Sequence, residues 1–190
     1  MTELTRALLE AAADLLAARG VQGLRMADVA TKAGVSRQSV YNEFGNKERI
    51  VHAVALYKTE EFLDGVRSRL STAPDPVDGV RDSIAFVFER TAHDPLTRSV
   101  FGGANAEDML PLVTTRGHPI MAAATDVYLE HFHLHYPWLS QERAELIAEH
   151  VVRLVISHLL TPSRDPVHAV VTITSALLLS PEPHSLDRTP

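Results

Sequence analysis

Residues 27 to 44, A-D-V-A-T-K-A-G-V-S-R-Q-S-V-Y-N-E-F, read as two short helices hinged at Gly34. Ala27 to Ala33 form the first, with Val29, Ala30 and Ala33 on one face. Gly34 supplies the left-handed turn that glycine adopts at little cost. Val35 fills the gap between the helices, and Ser36 caps the second by offering its hydroxyl to an orphan amide. Val40 and Phe44, four apart, face inward. Arg37, Gln38, Ser39, Tyr41 and Asn42 are left outward at the start of the second helix, where a recognition helix meets DNA. Small inward residues suit the design, because two helices crossing at a wide angle over a short turn must approach closely. These residues alone are also compatible with an ordinary helical hairpin used as a protein-interaction module.

Working outward, Leu4, Leu8, Ala12, Leu15 and Leu16 follow a helical period that ends at Arg19-Gly20, giving a base for the helix pair. On the other side Asn46 is placed to cap a fourth helix. Lys47 then falls in its first turn, against the helix dipole. A phosphate at that helix end would resolve the conflict by using both the free amides and the ammonium. Ile50, Val54, Leu63, Val66 and Leu70 carry this helix to about residue 70.

The net charge of −6 is unusual for a DNA binder until it is divided along the chain. Residues 1–50 hold seven Lys/Arg against six Asp/Glu, whereas residues 51–190 hold eleven against eighteen. The acidity lies behind the reading head. The basic patch at 32–49 is modest, which favours site-specific binding over wrapping of DNA.

Residues 8 to 54 resemble the N-terminal domain of the tetracycline-repressor (TetR) family. The resemblance is carried in order by L-L-E-A-A-A-D-L-L-A-A-R-G (8–20), M-A-D-V-A (26–30), A-G-V-S (33–36), S-V-Y-N-E-F (39–44) and G-N-K-E-R-I (45–50). It implies a three-helix helix-turn-helix DNA-binding domain over 1–46. A helical ligand-binding and dimerisation domain over 47–180 and a flexible tail over 181–190 would follow. Two positions depart from the family pattern. Arg25 stands where Ser or Thr usually caps the first helix of the pair, and Asn42 replaces a basic or aromatic residue, so the base preference should be this chain's own. On this reading Arg37, Gln38, Ser39 and Asn42 approach base edges. Tyr41 and Lys47, with Arg25 and Lys32, hold phosphates and set register.

Beyond residue 70, three Asp-Pro pairs (75–76, 94–95 and 165–166) mark helix starts, since Asp caps and Pro suits the first helical position. Strand-like alternation is scarce. Helices are expected over 76–92, 95–101, 106–115, 119–136, 141–160 and 166–179, with Gly102-Gly103 as a break and Asn105 as a cap; the fold is all-α. Apolar residues on the last two helices spread around more than one face, so these helices are either central to one subunit or packed against a partner. The resemblance favours a homodimer built through 141–160 and 166–179, reading a palindromic double-stranded operator.

Chemistry elsewhere is sparse. The chain has no cysteine, which excludes disulfides and thiolate chemistry. It lacks a G-x-S-x-G elbow, a P-loop, a G-x-G-x-x-G loop and an H-E-x-x-H pair, so no enzyme and no cofactor is expected. Its start is not that of a signal peptide, and its apolar runs are too short and polar to span a bilayer, pointing to the cytoplasm rather than a membrane. Ten histidines include His131, His133 and His135, and His131 with His135 would share a helix face at a spacing usable for a metal-sensing regulator. No third ligand is evident, and no metal site is assigned. The resemblance also implies a small-molecule effector in the C-terminal core. Phe86, Phe101, Met109, Leu112, Met121 and Tyr128 would enclose an apolar or amphipathic molecule, with Asn105 and Arg116 as polar anchors, Arg116 for a lipid-like acid.

Overall fold

The computed structural model describes residues 1–101, 107 and 110–180, Leu112 by its backbone alone. Helix α1 (Glu3–Gly23) starts at Thr2, whose hydroxyl accepts from the Thr5 amide at 3.1 Å. Its regular part stops at Gly20, where φ is 66°, as the Arg19-Gly20 signal anticipates. Helix α2 (Met26–Ala33) follows, then α3 (Arg37–Phe44), separated by Gly34 in the left-handed region at φ 70° and ψ 29°. Ser36 accepts from the Ser39 amide at 3.1 Å, closing the first turn of α3. Arg25 stands at the α2 N-cap with no side-chain cap bond, so the start of α2 lacks the hydroxyl that Ser or Thr would supply.

Helix α4 (Lys47–Thr72) is capped by Asn46, which accepts from the Arg49 amide at 2.9 Å. Its 26 residues span about 39 Å at the usual helical rise. Each Asp-Pro pair opens a helix. Asp75 accepts from the Val77 amide at 2.8 Å and starts α5 (Pro76–His93); Asp94 accepts from Thr97 at 2.8 Å and starts α6 (Pro95–Phe101). Asp165 accepts from His168 at 3.0 Å and starts the last helix. Between lie α7 (His118–His135) and α8 (Gln141–Leu160), with α9 (Pro166–Leu179) at the end. Of the expected helix over 106–115, Glu107 is helical, while Leu110–Leu112 form a 3₁₀ turn followed by turns to Arg116. Pro111, which lacks a donor and so does not favour a continuous α-helix, lies within that turn. The Gly102-Gly103 break and the Asn105 cap fall outside the described residues. Among those described there is no strand, and no helix is long and apolar enough to cross a membrane.

Two apolar cores form, and α4 belongs to both. The first joins Leu8, Leu16, Leu24, Val29, Val40, Ile50 and Val54, with Val100 of α6 packed onto it. The second joins Leu63, Val66, Ile84, Val127, Phe132, Ile147, Val151 and Leu178. Leu4 shares the helical period of α1 but is 42% exposed, because α1 begins before the core does. Where α4 meets α5, Gly65 lets the helices approach. A Cβ there would meet Phe86 Cε1 at 2.6 Å, closer than real atoms tolerate. A displacement of α4 is therefore felt in both cores, since one rigid rod is built into each.

Candidate nucleic-acid interface and effector cavity

The outer face of α3 is organised by two pairs one turn apart. Arg37 Nη2 donates to the Tyr41 hydroxyl at 3.2 Å, with its guanidinium 5.3 Å from the ring centre. Gln38 Nε2 donates to Asn42 Oδ1 at 2.8 Å. Arg37, Gln38, Tyr41 and Asn42 are exposed, while Ser39 is half-buried and its hydroxyl lies 2.9 Å from that of Ser36. Such pairs stabilise by only about 0.2–0.5 kcal/mol each, so exchanging them for base edges costs little. Four side chains that between them offer donors and acceptors thus sit on one exposed ridge, backed by buried Val40 and Phe44.

Of the residues assigned to phosphates, Lys32 and Lys47 are engaged within the chain. Lys32 pairs with Asp14 at 3.0 Å; both are largely exposed, and such pairs exchange readily for a phosphate. Lys47 Nζ donates to the Gln22 carbonyl at 3.2 Å, tying the start of α4 to the end of α1. Arg25 is exposed beside the uncapped start of α2.

Behind the reading head lies a cavity of about 170 Å³. Its walls come from Leu16 of α1, Val51 to Val66 of α4, Val87 and Thr91 of α5, Leu96 to Phe101 of α6, Ile120 to Tyr128 of α7 and Val152 to Leu159 of α8. It therefore touches both cores. Tyr128 is buried with its hydroxyl 3.1 Å from Ser83 Oγ, and burial pushes its phenol up to about 12. Apolar cavities of roughly this size stay dry and accept hydrocarbon guests. Among the described residues the charged group in the wall is Lys58, neutralised by Glu10 at 2.9 Å and Glu61 at 2.8 Å. Burial pulls its ammonium down, but the hydrogen bonds to Glu61 and Glu10 more than offset this and hold it above its usual range. Tyr57 also donates to Glu10 at 2.7 Å, so α1 and α4 are latched at the rim of the cavity.

Of the expected effector contacts, Phe101 and Tyr128 line this cavity. Phe86 does not; it packs over Gly65, with the Arg69 guanidinium 3.7 Å from its ring centre, so its size fills the α4–α5 crossing. Met121 packs half-buried against the second core, away from the cavity wall. Arg116 is exposed and lines a neighbouring cleft with Lys47 and His52, because the turn at 113–117 directs it outward. Asn105 and Met109 lie outside the described residues, as does the side chain of Leu112. The cavity walls from α4 and α8 were not anticipated, since Val51, Val54, Val152 and Val155 show the same periodicity whether they face a void or a neighbour.

The metal-sensing alternative finds no support among the described residues. His131 is buried, with Nε2 3.2 Å from the Pro76 carbonyl, and its ring centre is 4.6 Å from that of His135. Burial lowers its affinity for a proton. It serves the α5–α7 packing, and no group of three His, Asp or Glu able to hold a metal occurs among the described residues.

Two family models cover the chain. The one for bacterial regulatory proteins of the tetR family matches residues 8–54, and the bacterial tetracyclin repressor C-terminal domain matches 75–180. The transcriptional regulator AlkX of Mycobacterium tuberculosis is 30% identical over 156 residues, covering 82% of this chain and 74% of its own length. The crystal structure of the TetR family repressor AlkX of Dietzia sp., implicated in biodegradation of n-alkanes, is similar with a TM-score of 0.69. It is 27% identical, over 92% of each chain. The fold is shared with the fatty acid degradation regulator FadR of Bacillus halodurans, at a TM-score of 0.58 and 19% identity, over 94% of this chain and 96% of that one. The chain thus belongs to the tetracycline-repressor family of transcriptional regulators, DNA-binding proteins rather than enzymes.

Proposed function

We propose that two copies of the chain form a cytoplasmic repressor that reads a palindromic operator and is released by an aliphatic effector in the core cavity. The carrying observation is the continuity of that cavity with α4 and α1, the elements on which the reading head rests. A guest wedged between α4 and α8 displaces the rod that begins at Lys47, and so alters the spacing of the two heads. To move the population decisively it must prefer the released state by about 5.5 kcal/mol. The wall favours a hydrocarbon body because its cation is already neutralised and its other side chains are mostly apolar. The n-alkane association of the Dietzia repressor supports the same class of ligand.

Pairing of subunits is supported by apolar residues left outside on the last two helices. Leu146 of α8 is 55% exposed, and Ile173 and Leu177 of α9, one turn apart, are 44% and 39% exposed. Arg143 binds α8 to the end of α9 through the Leu177 and Ser180 carbonyls at 2.7 and 2.9 Å, holding that surface as one unit. Two recognition helices in such a dimer can sit about one DNA turn apart.

A gel-shift titration with the DNA flanking the chain's own gene, at roughly 50 and 200 mM salt, tests this reading. Binding should weaken at the higher salt, and n-dodecane should release the complex. A folded dimer that binds at neither concentration would sink the proposal.

A further inference from the structure

The apolar cavity shares Val51, Ala55 and Ile120 with a second cleft, of about 120 Å³. The cleft opens between α4 and the start of α7, and among the described residues Lys47, His52 and Arg116 line it with a single carboxylate, Glu48. Two permanent cations against one anion leave it positive. The Arg116 guanidinium is exposed and makes no hydrogen bond or ion pair among the described residues, while its backbone amide donates to Pro111 at 2.7 Å and fixes the turn that presents it. Among the described residues Lys47 has the neutral Gln22 carbonyl as its partner. A hydrocarbon void and a cationic cleft are therefore separated by three side chains, none with a polar group to protect.

Resting on the reading of the cavity as the effector site, we infer that the effector is amphipathic: its aliphatic chain occupies the cavity, and its carboxylate sits in the adjoining cleft against Arg116 and Lys47. Arg116 supplies the planar fork that carboxylates accept in pairs. Lys58 cannot serve, because Glu10 and Glu61 already complete its coordination. The cleft also adds a route to release. Lys47 is the residue assigned to an operator phosphate, so a carboxylate that draws its ammonium into the cleft competes with DNA for the same charge. An acid then releases DNA by displacing α4 and by withdrawing a phosphate contact, whereas a neutral molecule of equal length does only the first.

The test compares sodium dodecanoate, methyl dodecanoate and n-dodecane as releasing agents for the protein–DNA complex, with calorimetry reporting binding to the protein alone. Dodecanoate should release DNA at a concentration roughly tenfold or more below that of its ester, the loss expected for one charged hydrogen-bond pair. Arg116→Gln should abolish that advantage while leaving DNA affinity and release by the ester unchanged, and Arg116→Lys should recover part of it. Equal potency of acid and ester, or a dodecanoate response indifferent to Arg116→Gln, would overturn the cleft assignment and leave the cavity reading standing. If none of the three binds or releases DNA, the cavity reading fails and this inference falls with it.

Discussion

At the scale of residues, the reading head depends on a few local devices. Gly34 has φ 70° with open space around its Cα, so what selects glycine there is backbone conformation and not crowding. Ser36 fixes the first turn of α3, and the buried pair Val40 and Phe44 fixes which face is outward. Arg37, held over Tyr41, is the side chain with the geometry to grip a guanine edge. Arg37→Ala should cost about 1–3 kcal/mol on the specific operator and blur preference at one base position. A systematic base-substitution series read by anisotropy checks this, and an equal loss on random DNA would remove its role in reading. These features were legible from sequence because each is decided within four or five residues. The Asp75, Asp94 and Asp165 caps and the uncapped Arg25 were legible for the same reason. Phe86 and Arg116 were not: a large aromatic can fill a helix crossing as readily as line a void, and a turn's direction is set by chain packed elsewhere.

At the scale of elements, the helix order follows from the capping signals, but the void between helices does not. Val51, Val54, Val152 and Val155 keep the period of a buried face, and only the distance between α4 and α8 decides that they line a cavity. The α5–α7 contact offers a test of its own. His131 is buried against the Pro76 carbonyl, and burial, helped by the neighbouring His135, depresses its proton affinity below the ordinary value of 6.5. The unfolded chain then binds the proton more tightly than the folded one. The stabilisation is complete above pH 6.5 and drains away as pH falls from there through the folded value. Urea unfolding across this range should show stability falling on the acid side, and His131→Gln should flatten the slope. A slope identical in wild type and variant would mean that this histidine does not titrate differently on folding.

At the scale of the whole molecule, α4 couples the parts. It contributes to both apolar cores, lines the cavity along half its length and begins at the lysine assigned to the operator. The latch from Tyr57 and Lys58 to Glu10 makes α1 move with it. The proposed function also requires a second copy of the chain. Leu177→Glu should convert the dimer to a folded monomer, seen as a halved mass by light scattering, and should abolish tight binding to a two-half-site operator. A variant that remains dimeric would place the subunit contact elsewhere.

On the proposed function, one chain binds the operator and an aliphatic guest in mutually unfavourable ways. The direct measurement is anisotropy of a labelled operator titrated with protein, without and with saturating n-dodecane. The guest should weaken operator binding by roughly tenfold or more, and operator should weaken guest binding by the same factor, as linkage requires. Full occupancy of the cavity by the guest with operator affinity unchanged would contradict it.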